Sequence, residues 1–273
     1  IRYKGFVGYP SANLEFYSVG SMDLPKPIEL NIEGPGAIQE LKFKVAGSHW
    51  FVGGRQIYHH ADVELANPFS TDDLTENQAA IIDYLNDQLN RTVTTSGLGP
   101  VVEYDSRNNP MNPEKGYNYR AEYLWFADGI GSDYDYETYR LTALNYWQLT
   151  DQFYFNLRLQ YDGLSSDTKN LPAYIPPTIN LRGISRTRYQ GNSVAVIETE
   201  VSYKPKMRWK YLAFTGIGRT ADSFSDLSDA ENIDSYGVGF RYLIAKRYGM
   251  NMGIDVARGP EETAFYIQAG STW

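Results

Sequence analysis

Hydrophobic and polar residues alternate singly over long stretches of this chain. Across residues 151–161, Phe153, Phe155, Leu157, Leu159 and Tyr161 share one parity, while Tyr154, Asn156, Arg158 and Gln160 share the other. A period of two is the mark of a β-strand, whose successive side chains point to opposite faces. In residues 194–203, Ile197, Thr199, Val201 and Tyr203 oppose Glu198, Glu200 and Ser202. In 235–244, Tyr236, Val238, Phe240, Tyr242 and Ile244 oppose Gly237, Gly239 and Arg241. Met250, Met252, Ile254 and Val256 likewise oppose Asn251, Gly253, Asp255 and Ala257. The C-terminal stretch repeats the pattern, with Phe265, Ile267, Ala269, Ser271 and Trp273 forming a mostly apolar face.

The pattern predicts about twelve strands. They fall near residues 2–9, 28–33 with a continuation or restart to 46, 50–65, 97–105, 116–127, 134–148, 152–163, 194–204, 210–220, 235–245, 250–258 and 263–273. Gly34-Pro35-Gly36 interrupts the second segment and the apolar parity changes across it, which predicts a bulge or a separate short strand. Soluble sandwiches also alternate. Here, however, the polar face mixes Arg, Glu and Asp with Gly, as a water-filled lumen would, and the apolar face runs to an aromatic end. The expected fold is therefore all-β, a transmembrane antiparallel β-barrel of the bacterial outer membrane.

The connections have sides. From Lys204 onward, short basic turns (KPKMRW, AKRYG) alternate with acidic ones, of which ADSFSDLSDAENID is long and RGPEE short. Bacterial barrels carry short periplasmic turns and longer outer loops, so the C-terminus is expected in the periplasm. Residues 1–273 read as one barrel domain. Residues 67–96 read as an outer loop with a short helix: Asp73 and Glu76 form a capping box, and Ile81, Ile82, Leu85 and Leu89 follow at helical spacing.

Composition sharpens this picture. No apolar run reaches the ~18 residues of a membrane-spanning helix, and the mean hydropathy is −0.46. Barrel strands average out in the same way. Twenty-three Tyr and five Trp suit membrane–water interfaces. A net charge of −8 argues against nucleic acid, which needs a basic surface. Without cysteine there is no disulfide or thiolate metal site. His59 and His60 are adjacent in a strand and face apart, so they cannot chelate one metal together. No cofactor, metal site or catalytic residue is expected, and the chain reads as a non-enzyme. Residue 1 is Ile and no signal peptide is visible, so the sequence looks like a mature or trimmed form.

Three segments resemble the BamA/TamA/FhaC superfamily of outer-membrane insertases and translocases. The first is Leu181-Arg182-Gly183-Ile184, within residues 164–193, followed by Glu198 and Glu200. The second is YDSRNNPMNPEKG, which resembles the family's strand–turn–strand segment through Asp105, Arg107, Pro110, Pro113 and Gly116. The third is the terminal block from Gly237 to Trp273, with Phe265, Ile267, Ala269 and Trp273 as its barrel signature. The resemblance implies that residues 164–193 fold back into the lumen and that Arg182 pairs with wall carboxylates. An Arg confined in a lumen must be paired, and its planar fork suits a carboxylate. The family's usual acidic position is taken by Gly216, which leaves Glu198 and Glu200 as candidate partners, with Asp255 third and Arg188 as a further loop cation. No POTRA repeat is visible, and full-length relatives have sixteen strands. Either upstream strands are missing or the barrel is small.

The resemblance implies membrane protein assembly, or polypeptide or lipid translocation, through a lateral seam and a loop-braced lumen. The alternatives are a passive outer-membrane pore and the membrane anchor of a lipid hydrolase. Expected partners are outer-membrane lipid and lipopolysaccharide, a client polypeptide, or a second copy of the chain.

Overall fold

The computed structural model describes residues 1–19, 22–66, 90–168, 171–206 and 208–273. Among these, fourteen strands form one antiparallel sheet. In chain order they are Arg2–Gly8 (β1), Ser11–Val19 (β2), Met22–Glu33 (β3), Gly36–Lys44 (β4), Trp50–Leu65 (β5), Arg91–Asp105 (β6) and Gly116–Phe126 (β7). Tyr136–Gln148 (β8), Phe153–Ser165 (β9), Ser193–Lys206 (β10), Trp209–Ala221 (β11), Ile233–Ala245 (β12), Met250–Arg258 (β13) and Thr263–Ala269 (β14) complete the set. The sheet runs β1-β4-β5 and then consecutively to β14, with β2 and β3 as a hairpin off this path. Among the described residues the sheet is not closed by strand pairing: β1 and β14 end the path.

The main path has the strand count that the alternation predicts, but one strand is additional and two boundaries differ. No strand is expected over β2, although Ala12, Leu14 and Phe16 alternate there with Asn13 and Glu15. The expected interruption after Glu33 separates β3 from β4. Both still lie along β5, with Leu30 opposite Leu65 and Gly36 opposite His59. β6 begins at Arg91, so residues 91–96 belong to the wall and not to the loop expected over 67–96. Their Thr-rich run (RTVTTS) hides the alternation, which pairing with β5 enforces. β14 stops at Ala269, and Gly270, at φ +81°, turns the last residues away. The expected helix, with Asp73, Glu76, Ile81, Ile82, Leu85 and Leu89, lies outside the described residues.

Burial is inverted relative to a water-soluble sheet. Ile197, Val201, Tyr211, Val238, Ile254 and Phe265 are exposed, whereas Arg158, Glu198, Glu200, Arg241 and Asp255 are buried. This is the arrangement of a chain with an apolar solvent outside and a polar interior within. Aromatic residues gather near the short-turn ends of the outer face. Trp209 meets Tyr242 edge-on at 5.0 Å, and Phe153 stacks on Tyr203 at 4.9 Å.

Candidate functional site: an ion-paired lumen under a folded-in loop

The connection between β9 and β10 turns inward instead of leaving the barrel. Its two arms hold each other: the Ile179 amide donates to the Tyr189 carbonyl at 3.0 Å, and the Gly191 amide to that of Pro177 at 3.2 Å. Ile179, Leu181 and Ile184 bury against Val194, Val196 and Ile233. The wall makes room through glycine. A Cβ on Gly216 or Gly218 would lie 2.6 Å from Leu181 or Ile179 respectively, closer than carbon atoms pack. The position where the resemblance expects an acid is therefore the smooth floor on which the loop rests.

A tight turn, in which the Ile184 amide meets the Leu181 carbonyl, presents Arg182 and Gly183 at the tip. Gly183 has φ +88°, and a Cβ there would come within 2.9 Å of the Arg258–Gly259 backbone. Its amide donates to the Tyr266 hydroxyl at 2.9 Å. Ile184 anchors the tip in the apolar cluster.

Arg182 projects into a set of carboxylates. Its Nε donates to Glu198 at 2.9 Å; its Nη1 donates to Glu200 at 3.2 Å and to Asp255 at 3.1 Å. The guanidinium carbon lies 3.4 Å above the centre of the Phe214 ring, which adds a cation–π contact. Arg241 donates from both terminal nitrogens to Asp255, at 2.5 and 2.8 Å. Arg158 lies 3.5 Å from Glu198 and donates to the Asn180 carbonyl. Three guanidinium groups thus face three carboxylates, so the cluster is internally neutral. Asp255 is 0% exposed and Glu198 1% exposed, so each ion depends on its partners and not on water.

Arg188 stands apart from this cluster. It is held at the loop's other end by Glu261, in the β13–β14 turn, at 2.8 Å. The C-terminal signature divides. Phe265 and Ile267 face outward at 74% and 82% exposure, with Ala269 on the same side. Trp273, expected on that face, lies inside and donates from Nε1 to Glu198 at 2.7 Å. Thr272 accepts from Arg241 at 3.2 Å. The left-handed backbone at Gly270 causes this change of side.

The β6–β7 turn also reaches inward. Asp105 accepts from Arg107 Nε at 2.9 Å and from Arg2 at 2.9 Å. The turn continues through Pro110 and Pro113 to Gly116, which opens β7. Its middle crosses to β10–β13. Glu114 accepts from Lys204 at 2.5 Å, Asn112 from Lys210 at 3.4 Å, and Asn109 donates to the Tyr248 carbonyl at 3.3 Å. Together with the tucked C-terminal residues it lies across the short-turn end of the lumen.

A second ionic cluster is not anticipated from the motifs. Lys42 joins Glu40, at 2.8 Å, to Glu103. Arg120 forks onto Glu40, at 2.6 and 3.1 Å, and also reaches Glu122 at 2.6 Å. Arg55 bonds Glu122 at 3.1 Å. The available signal is charge on the inward parity of β4 and β7, where Glu40 alternates with Lys42 and Arg120 with Glu122.

The sequence matches no protein-family model and none of the curated proteins. Among solved structures, BamA from Haemophilus ducreyi lacking POTRA domains 1–3 superposes with a TM-score of 0.63 at 12% identity, over 98% of this chain and 57% of that one. The Pseudomonas putida toluene transporter TodX aligns with a TM-score of 0.43 at 12% identity, over 98% of this chain and 77% of that one. This chain therefore spans a little over half the length of the BamA structure. Its fold is an all-β barrel of the BamA type.

Proposed function

We propose that this chain is the barrel of a bacterial outer-membrane insertase or translocase, with its C-terminus toward the periplasm. It would act on membrane proteins under assembly, or on a polypeptide or lipid in transit, through a lateral seam between β1 and β14. The observation that carries this reading is the pairing of an interior loop with an unclosed sheet. The loop lies against the inner face of the sheet and places Arg182 among Glu198, Glu200 and Asp255. The sheet meanwhile ends in two strands that, among the described residues, do not pair with one another. In hydrocarbon, unpaired backbone groups are costly, and an edge of this kind templates an incoming strand. Outer-membrane placement is supported by the apolar exterior and the BamA-type fold. The expected surroundings are lipid and lipopolysaccharide, and the expected ligand is a client segment or a second copy at the open edges. No catalytic step is assigned to the chain.

The test is a cross-link between the edge strands. Cysteines replacing Val7 in β1 and Phe265 in β14 would be joined by a reducible bifunctional reagent in vesicles containing the protein. Insertion of an unfolded barrel client into those vesicles would then be followed. Loss of insertion on cross-linking, with recovery on reduction, is expected. Unchanged insertion by the cross-linked protein would reject the seam.

A further inference from the structure

The interior loop does more than line the lumen wall, because its distal end touches both sides of the gap in the sheet. We propose that Thr187, Arg188 and Tyr189 form a clasp that holds the first hairpin to the last turn and keeps the β1–β14 gap shut at the loop end. Arg188 is the centre. Its guanidinium carbon lies 4.3 Å from the centre of the Tyr17 ring in β2, the strand that continues β1. On its other side, Nε donates to both carboxylate oxygens of Glu261, at 2.8 and 2.9 Å. Glu261 stands in the turn that leads into β14. The flanking residues repeat the bridge. Tyr189 donates to Glu261 at 3.0 Å, and Thr187 donates to the Glu15 carbonyl in β2. Tyr17 in turn donates to Glu15 at 2.9 Å, which fixes the ring under the guanidinium.

Among the described residues no strand pairing joins β1 to β14, and these side chains bridge instead from β2, which follows β1 in the chain, to the turn that precedes β14. A planar guanidinium suits such a bridge, because one edge takes a carboxylate in a fork while the face lies on an aromatic ring. The clasp shares a loop with Arg182, only six positions earlier in the chain. The clasp rests on the seam reading above and gives the seam its lock.

The experiment measures gap geometry and not client handling, so the lock and the seam function can fail separately. Spin labels at Ser11 and Thr263, one on each side of the gap, report its width by pulsed dipolar spectroscopy in vesicles. Arg188→Glu places an anion against Glu261. We expect the wide-gap population to rise about twofold to fivefold, the range for a partly exposed ion pair. The swap Arg188→Glu with Glu261→Arg should restore the narrow distribution. Glu261→Gln serves as a milder opening variant should Arg188→Glu fail to fold, judged by heat-modifiable gel mobility. Identical distance distributions in the wild type and the opening variants would overturn the clasp, as would a swap variant as wide as Arg188→Glu.

Discussion

At the scale of single residues, Arg182 is the most exacting part of this lumen. It pairs with Glu198, Glu200 and Asp255 from a loop tip, and Arg241 and Arg158 complete the charge balance. Burying ions gains little by itself, but removing one partner leaves the others unpaired, at a cost of about 3–5 kcal/mol. Arg182→Ala is accordingly expected to lower the denaturation midpoint of the folded barrel sharply, as followed by heat-modifiable gel mobility. Retained wild-type heat stability would show the pairing to be dispensable. Glu261 answers a different question, that of pH. The hydrogen bond from Arg188 holds its carboxyl below the ordinary carboxylate range, with Tyr189 adding to the effect against a smaller opposing push from burial. A lowered folded-state pKa means that the clasp's contribution is present above the ordinary value and is lost as pH falls through the lowered one. The charged and titratable groups around it are Arg188, Tyr189, Tyr17, Glu15 and Glu262. The spin-label distances should stay constant from neutral pH down to the ordinary carboxylate range and widen only below it. Widening near neutrality would contradict the assignment.

At the scale of elements, the loop and β11 are matched surfaces. Leu181 and Ile179 lie over Gly216 and Gly218, and Gly183 lies against the β13–β14 turn. Gly216→Val would push Leu181 off the wall and carry Arg182 out of reach of its acids. The expected result is destabilisation of about 1–3 kcal/mol, the usual cost of overpacking, together with faster proteolysis within residues 171–192. A variant as protease-resistant as the wild type would mean that the loop does not need this floor. Glycine in a strand normally weakens it, so glycine on the inward parity of β11 and β12 points to something packed against that face. The loop meets that condition on β11.

At the scale of the whole molecule, the lumen is obstructed in two places. The interior loop packs against the wall at β5, at β7 and at β10, and the β6–β7 turn crosses the short-turn end through Glu114–Lys204, Asn112–Lys210 and Asn109–Tyr248. A barrel obstructed in this way should pass little current in a planar bilayer. Glu114→Lys, which sets two cations against one another, should raise the frequency of open events, and adding Lys204→Glu should restore the quiet state. A large steady conductance in the unaltered protein would favour the passive-pore alternative.

What the sequence settles by itself is which way each side chain faces. Alternation is local, so the outward parity of Phe153, Ile197 and Val238 and the inward parity of Glu198 and Asp255 are legible without a fold, as is the run of strands from β7 to β13. Where periodicity is diluted, as at the start of β6, local reading fails, because pairing with a neighbouring strand supplies the order that composition lacks. Only the tertiary structure decides which inward residues meet. Arg182 reaches Asp255 over 73 positions, and Glu40 meets Arg120 over 80, because curling the sheet brings distant strands around one lumen. The turning-in of Trp273 and the bridging of Tyr17 to Glu261 by Arg188 belong to the same class. A charge enclosed in a lumen takes whichever opposite charge the curvature presents, and curvature is a property of the whole sheet that no single strand contains.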